Sequence, residues 1–225
     1  MVSDGSDGPA IIFDCDGVLV DSELIEHGVD LEMLAPHGYR ATPAELLARF
    51  VGISRRDCYR TVFDELGRAM PEGFIEEAER LVWERCERNL RPIDGVAEAL
   101  AALAGAPKCV ASSSTPDKLV MKLVATGLAS HFAPHIYSTA LVARGKPAPD
   151  IYLHGARAIG APPARCIVIE DSPHGIAGAR AAGMRAIGFV GGGHATPRLA
   201  AALAASGAVA VIDRMADLPA ALGRV

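Results

Sequence analysis

Short runs of apolar residues alternate along this chain with longer amphipathic stretches. Five runs, most of them bounded by polar residues, occur at 11–13, 108–111, 166–169, 185–190 and 209–212. A strand that is covered on both faces is apolar along its whole length, so these runs predict buried strands of a parallel sheet. The intervening helical patterns predict an α/β fold in which the sheet is doubly wound.

The segment that follows the first run has a different pattern. From 22 to about 89, apolar residues recur at spacings of three and four, which is typical of amphipathic helices, and no strand-like run occurs. A wholly helical segment between the first strand and the rest of an α/β domain suggests an inserted lid. We therefore expect a core domain at 9–21 and 92–225, a helical cap domain at 22–91, and a flexible tail at 1–8.

Composition and charge narrow the classes of partner. The chain has 225 residues, and its formal net charge of −5 gives no basic footprint, so we do not expect nucleic acid as a partner. No apolar run approaches the roughly 20 residues that cross a bilayer, and the polar residues 1–8 do not resemble a signal peptide. Five cysteines without paired spacing indicate reduced thiols and a cytoplasmic protein. The oligomeric state is not indicated.

Two carboxylates follow the first apolar run. Asp14 and Asp16 are separated by Cys15, and Gly17 comes next. Ligands of open α/β sheets bind at the carboxyl ends of strands, and neighbouring carboxylates repel each other unless a cation or a proton lies between them. The pair predicts a metal site that holds a carboxylate nucleophile and its acid/base partner. A polar surface turn is the alternative.

A cluster of serines follows the second apolar run. Ser112, Ser113 and Ser114 precede a helix whose first turn contains Pro116. Serine hydroxyls and the free N–H groups at a helix N-terminus attract anions, so the cluster is a candidate phosphate site. A serine at this place can also serve only as a helix cap.

A lysine and a second acidic pair complete the candidate chemistry. Lys146 lies in a loop where Pro147 and Pro149 restrict the backbone, which favours a fixed position for its ammonium group. Glu170 and Asp171 end the apolar run at 166–169. A fixed ammonium offsets negative charge on a phosphate and on a nearby carboxylate.

In order and spacing, these four motifs resemble those of the haloacid dehalogenase superfamily. The first motif resembles more narrowly the β-phosphoglucomutase-like and phosphatase branch, whose helical cap is inserted just after it. The resemblance spans nearly all of the chain from Pro9 onward. It implies a Rossmann-like core and a magnesium-dependent phosphoryl transfer through an aspartyl phosphate.

The resemblance also assigns roles to residues. Asp14 would be the nucleophile, Asp16 the general acid and base, and Ser112 with Lys146 would hold the phosphoryl oxygens. Magnesium suits oxygen ligands and commonly bridges to a substrate phosphate. The implied magnesium ligands are Asp14, the main-chain carbonyl of Asp16, Asp171, and Glu170 either directly or as a partner of a ligand.

Substrate recognition is expected to involve the cap. The stretch 50–55 resembles the family's cap loop, and Arg55, Glu26 and Ser113 are the candidate substrate-binding residues. In β-phosphoglucomutase a histidine and a lysine occupy positions that align here with Glu26 and Val51. These differences count against mutase chemistry.

The expected function is a magnesium-dependent phosphatase that hydrolyses a small phosphorylated metabolite, a sugar or sugar-acid phosphate. The alternative is a sugar-phosphate mutase of the β-phosphoglucomutase type, which uses the same phosphorylated aspartate but excludes water. A dehalogenase needs neither magnesium nor the second aspartate. A non-enzymatic binding module of this fold would be expected to lack Asp14 or Lys146.

Overall fold

The computed structural model describes residues 8–50 and 54–225, and the chain divides into two compact units. The helical unit is Ser22–Leu90, and the core unit comprises the two flanking segments, Met1–Asp21 and Arg91–Val225. Residues 1–7 of the expected tail lie outside the described residues. Residues 51–53 of the expected cap loop, which include Val51, lie outside them as well.

Four α-helices lie in the described part of the helical unit, besides a short 3-10 helix at Ala35–His37. They are α1 (Glu23–Leu34), α2 (Pro43–Phe50), α3 (Arg55–Glu65) and α4 (Phe74–Asn89). Ser54 starts α3 as its N-cap, since its hydroxyl accepts a hydrogen bond from the backbone N–H of Asp57 at 3.2 Å. Tyr59 and Phe63 of α3 pack edge-on against Phe74 of α4, with ring centroids 5.1 Å apart in both pairs.

The core unit alternates strands and helices. Its strands are β1 (Ala10–Phe13), β2 (Lys108–Ser112), β3 (Ile136–Ser138), β4 (Cys166–Glu170), β5 (Arg185–Phe189) and β6 (Ala210–Ile212). Its α-helices are α5 (Val96–Ala102), α6 (Pro116–Ala125), α7 (Asp150–Ala158), α8 (Pro173–Ala181), α9 (Leu199–Ala205) and α10 (Leu218–Leu222).

All six strands form one parallel sheet in the order β3-β2-β1-β4-β5-β6. Helices cover both sides of it, with α7, α8 and α9 as neighbours in one layer. The strand order reverses between β1 and β4, which pair in the register Phe13 with Ile169. This reversal is the switch point at which such sheets bind ligands, and it brings the two acidic motifs side by side.

Residues of β1 alternate between the two layers, as the period of two in a strand requires. Ile12 lies in the apolar cluster with Ile151 of α7 and Ile176 of α8, whereas Phe13 packs edge-on against Phe132 at 5.7 Å between ring centroids. All four β1 residues are buried. Their burial explains why the run is apolar without interruption.

The predicted fold class, a doubly wound parallel α/β core with an inserted helical segment, is confirmed. Strand β3 was not predicted, because it is three residues long and only its last residue is fully buried. Within the described ranges, no helix is both long and apolar enough to cross a membrane. The five cysteines are buried, and none of them forms a disulfide with another.

Candidate active site

The central carboxylate of the site is Asp14, which follows the last residue of β1. Its backbone N–H donates to the carbonyl of Ile169 on β4 at 3.0 Å, so the strand pairing continues to Asp14 itself. The neighbouring strand ends at Glu170, and Asp171 comes next. Adjacent strands of one parallel sheet therefore place three carboxylates together at its carboxyl edge, where Asp14 is 7% exposed.

Lys146 connects the two acidic motifs. Its ammonium donates to Oδ1 of Asp14 at 2.6 Å and to Oε1 of Glu170 at 2.5 Å. The side chain is only 7% exposed, so both contacts are largely shielded from water. The loop that was expected to present a lysine thus delivers a buried cation between two carboxylates of the site.

Glu170 is held on both of its carboxylate oxygens. The hydroxyl of Tyr152 donates to Oε1 at 3.0 Å, and the backbone N–H and the hydroxyl of Ser172 each donate to Oε2 at 2.9 Å. A side chain at Gly175 would place its Cβ 1.9 Å from Cδ of Glu170. Only glycine at that position leaves room for this carboxylate, and the role of Gly175 was not recognised in the sequence.

The charges of the site perturb one another strongly. Burial raises the pKa of Asp14 well above its usual range, and although Lys146 opposes this, the carboxylates of Glu170 and Asp171 add to it. Burial alone would raise the pKa of Glu170, but Lys146 and the Ser172 hydrogen bonds lower it. Burial would lower the pKa of Lys146, yet Asp14 and Glu170 raise it, so the lysine stays charged.

The three carboxylates fit a divalent cation. Asp14, Glu170 and Asp171 each offer a ligand atom, and these atoms lie within 4.8 Å of one another at buried positions. Three buried carboxylates this close together carry negative charge that burial makes unfavourable unless cations offset it. Carboxylate oxygens are the donors that magnesium and similar hard cations prefer. The identity of the ion and the carbonyl ligand at Asp16 stay predictions.

Asp16 has different partners from Asp14. Its Oδ1 forms an ion pair with Lys122, and its Oδ2 accepts hydrogen bonds from Ser114 at 2.7 Å and from Ser112 at 3.5 Å. One carboxylate lies with Lys146 and the acidic pair, and the other lies with the serine cluster. Such a difference in surroundings is what two distinct chemical roles require.

Within the serine cluster, the structure separates three hydroxyl groups. Ser112 is buried and accepts a hydrogen bond from the backbone N–H of Ser114 at 3.0 Å, whereas Ser113 is exposed. The contact with Asp16 comes mainly from Ser114 and not from Ser112, to which the resemblance assigns a role. Substrate binding by Ser113 stays a prediction.

Lys122 was missed in the sequence. It lies on the buried face of α6 with Leu119 and Leu123 and is 1% exposed. A lysine on the apolar face of an amphipathic helix is rarely buried without a partner, so this departure from the pattern was the available signal. Its partner, Asp16, is 106 residues away in the sequence and cannot be found from local spacing.

In the helical unit, the two candidate substrate-binding residues contact each other. The Arg55 guanidinium on α3 donates to Glu26 at 2.8 Å and Asp30 at 2.7 Å on α1, and to Glu79 on α4 at 2.8 Å. Tyr59 also donates to Asp30, at 2.7 Å. Burial alone would lower the pKa of Arg55, but the carboxylates of Asp30 and Glu26 raise it. Arg55 therefore links three helices, and its contact with substrate stays a prediction, as does that of Glu26.

We expect Arg55→Met to destabilise the helical unit. The substitution removes the guanidinium that donates to the buried Asp30, and breaking a buried pair of this kind costs about 3 kcal/mol of the free energy of unfolding. Arg60→Met, on the exposed side of the same helix, is the matched control and is expected to cost less than about 1 kcal/mol. Urea unfolding followed by circular dichroism measures both. Equal stability of the two variants would show that Arg55 does not hold the unit together.

Comparison with known proteins agrees with this geometry. A family model described as hydrolase, haloacid dehalogenase-like hydrolase, matches residues 9–183. The chain is 30% identical over 189 residues to 6-phosphogluconate phosphatase of Escherichia coli strain K12, with 84% of this chain and 85% of that protein covered.

Two solved structures are also similar. A conserved haloacid dehalogenase-like protein of unknown function from Agrobacterium tumefaciens shows 46% identity and a TM-score of 0.89, with 96% of this chain and 98% of that chain covered. A haloacid dehalogenase family hydrolase from Deinococcus radiodurans, solved with bound phosphate and sodium, shows 37% identity and a TM-score of 0.84, with 96% of each chain covered.

The fold and the site together define an α/β enzyme with an acidic active site that contains a buried lysine at the switch point of its sheet. The chain belongs to the haloacid dehalogenase-like hydrolases. The predicted family and the predicted class of enzyme, a phosphatase of this family, are confirmed.

Proposed function

We propose that this enzyme is a magnesium-dependent phosphatase that hydrolyses a small phosphorylated metabolite, a sugar or sugar-acid phosphate, through an aspartyl phosphate on Asp14. The observation that carries the proposal is the buried cluster in which Lys146 joins Asp14 to Glu170 beside Asp171. A relative of this chain is a 6-phosphogluconate phosphatase, which supports the proposed class of substrate.

In the first step, Asp14 and Asp16 act together. A carboxylate oxygen of Asp14 attacks phosphorus in line, the bond from phosphorus to the ester oxygen breaks, and Asp16 donates a proton to the departing alcohol. The ammonium of Lys146 and the hydroxyl of Ser112 stabilise charge on the phosphoryl oxygens. When bound at the three carboxylates, magnesium would neutralise further charge on the transferring group.

In the second step, Asp16 changes its role. Having given up its proton, it accepts one from a water molecule, which attacks phosphorus and breaks the bond to Asp14. Inorganic phosphate leaves and both carboxylates return to their starting states. Lys122 and Ser114 support this role because they hold the two oxygens of Asp16 from the side of the serine cluster.

Selection of the substrate is proposed to depend on the helical unit. One added contact in a specificity pocket changes discrimination by only about 1–3 kcal/mol, so several residues must share the task. The candidates from the sequence are Arg55 and Glu26 of the helical unit and Ser113 of the core unit, and Arg55 also has the linking role described above.

The test of the proposed function is a screen of phosphate release over a panel of phosphorylated sugars, sugar acids and nucleotides. We expect magnesium-dependent release from a subset of the sugar or sugar-acid phosphates, loss of activity with a chelator, and recovery when magnesium is added back. Products are also assayed for isomers of the substrate. Isomer formation in place of phosphate release would favour the mutase alternative, and full activity in the chelator would contradict the metal site.

A further inference from the structure

The glycine run at 191–193 has a structural role that the sequence did not indicate. By sequence alone, three consecutive glycines and the following His194 predict a flexible loop. In the structure the segment is closely packed, since a Cβ at Gly191 would lie 2.3 Å from the carbonyl oxygen of Asp213 and 2.5 Å from the ring of Phe189. The loop therefore follows the surface of the core unit closely.

Two hydrogen bonds hold the loop in place. The backbone N–H of Gly193 donates to Oδ1 of Asp21 at 3.1 Å, and the N–H of Ala195 closes a turn on the carbonyl of Gly192 at 2.9 Å. Asp21 lies shortly after the first acidic motif. The loop after β5 is thus tied to the segment that carries the two catalytic aspartates.

The loop delivers His194 to the acidic cluster. Nε2 of His194 lies 3.0 Å from Oδ2 of Asp171, and the histidine side chain is 10% exposed. A carboxylate oxygen accepts hydrogen bonds, so an Nε2 that carries a proton can donate to Asp171 at this distance.

Two glycines make room for this imidazole. A Cβ at Gly17 would lie 2.6 Å from Cε1 of His194 and 1.9 Å from Oδ2 of Asp171, and the φ of 73° at Gly17 also favours glycine. A Cβ at Gly192 would lie 2.8 Å from both Cε1 and Nδ1 of the same ring. The backbone on either side is therefore shaped to the histidine and to the carboxylate that it contacts.

We propose that His194 is a positioning residue for the metal site: it holds one oxygen of Asp171 and so orients the other for the divalent cation. The proposal rests on the metal site of the proposed function. A free carboxylate rotates about its terminal bond, and a hydrogen bond to one oxygen limits that rotation before the cation arrives. Removal of such a partner typically weakens metal binding about 10- to 100-fold.

The test compares metal affinity rather than turnover. Magnesium binding to the full chain is measured by isothermal titration calorimetry, and manganese binding by electron paramagnetic resonance, for His194→Ala and His194→Gln. We expect His194→Ala to weaken affinity about 10- to 100-fold, and His194→Gln to stay within about threefold of the wild type because its amide nitrogen can donate from a similar place. His174→Ala, an exposed histidine of the same unit, is the control and should bind as the wild type.

Two results would overturn the role of His194. One is wild-type affinity in His194→Ala. The other is an equal loss in His194→Ala and His194→Gln, which would show that the shape of the ring matters and the donated hydrogen bond does not. Asp171→Asn separates this proposal from the proposed function. If Asp171→Asn also binds metal as the wild type does, the metal site itself is wrong. If metal affinity falls in Asp171→Asn but not in His194→Ala, only the role of His194 is overturned.

Discussion

Asp14→Asn is expected to lower the rate of phosphate release by at least about 10³-fold, because an amide cannot serve as the attacking group. The substitution also removes a negative charge that Lys146 and the cation would contact. The measurement is steady-state release of inorganic phosphate from the best substrate of the panel, at saturating magnesium.

Two measurements separate the loss of a nucleophile from a loss of folding in Asp14→Asn: the activity of a control variant and the melting temperature of Asp14→Asn itself. Asp94→Asn changes an exposed aspartate of the same unit and should retain wild-type activity. Burial and neighbouring carboxylates raise the pKa of Asp14, so its charged form is unfavourable in the folded protein without metal. Asp14→Asn should therefore melt no lower than the wild type in a chelator. A variant that retains near-normal turnover would contradict the assigned nucleophile.

Lys146→Met is expected to reduce both activity and stability. Phosphate release should fall at least about 10²-fold, since the ammonium that offsets charge on the phosphoryl group is lost. In a chelator, the free energy of unfolding should fall by about 3–5 kcal/mol, because Asp14 and Glu170 lose the cation that lies between them. Urea unfolding with and without magnesium measures the second effect, and magnesium should recover part of the stability.

The matched control for Lys146→Met is Lys108→Met. The ammonium of Lys108 donates to main-chain carbonyls, including that of Leu103 at 2.8 Å, and it lies at the start of β2. Its removal should leave phosphate release unchanged. If Lys146→Met unfolds at the same urea concentration as the wild type and keeps its turnover, the central place of Lys146 in the site is wrong.

The parts of the site that could be predicted carry strong local signals. Asp14, Glu170 and Asp171 each follow an apolar run, and the carboxyl ends of parallel strands meet at one edge of the sheet. Lys146 lies in a loop marked by two prolines. For these residues, the local pattern and the chain topology both indicate a position at the carboxyl edge of the sheet. The sequence alone therefore predicts that the four motifs meet there.

The parts that could not be predicted depend on contacts between distant segments. Lys122 and Asp16 are 106 residues apart, and the three carboxylates around Arg55 come from 24 to 29 residues away on two other helices. A cation on a helix looks the same in sequence whether it binds substrate or joins helices. His194 was missed for a related reason: glycines suggest freedom of the backbone, but here they leave room for a side chain.

The most direct test of the account is whether the phosphoryl group passes through Asp14. Asp16→Asn lacks the base for the second step, and an aryl phosphate has a leaving group that needs little help from a general acid. Rapid mixing, acid quenching and peptide mass mapping should show a burst of aryl alcohol equal to the enzyme concentration and one phosphate on Asp14. Steady turnover of this variant with no burst and no phosphate on Asp14 at any quench time would contradict the mechanism.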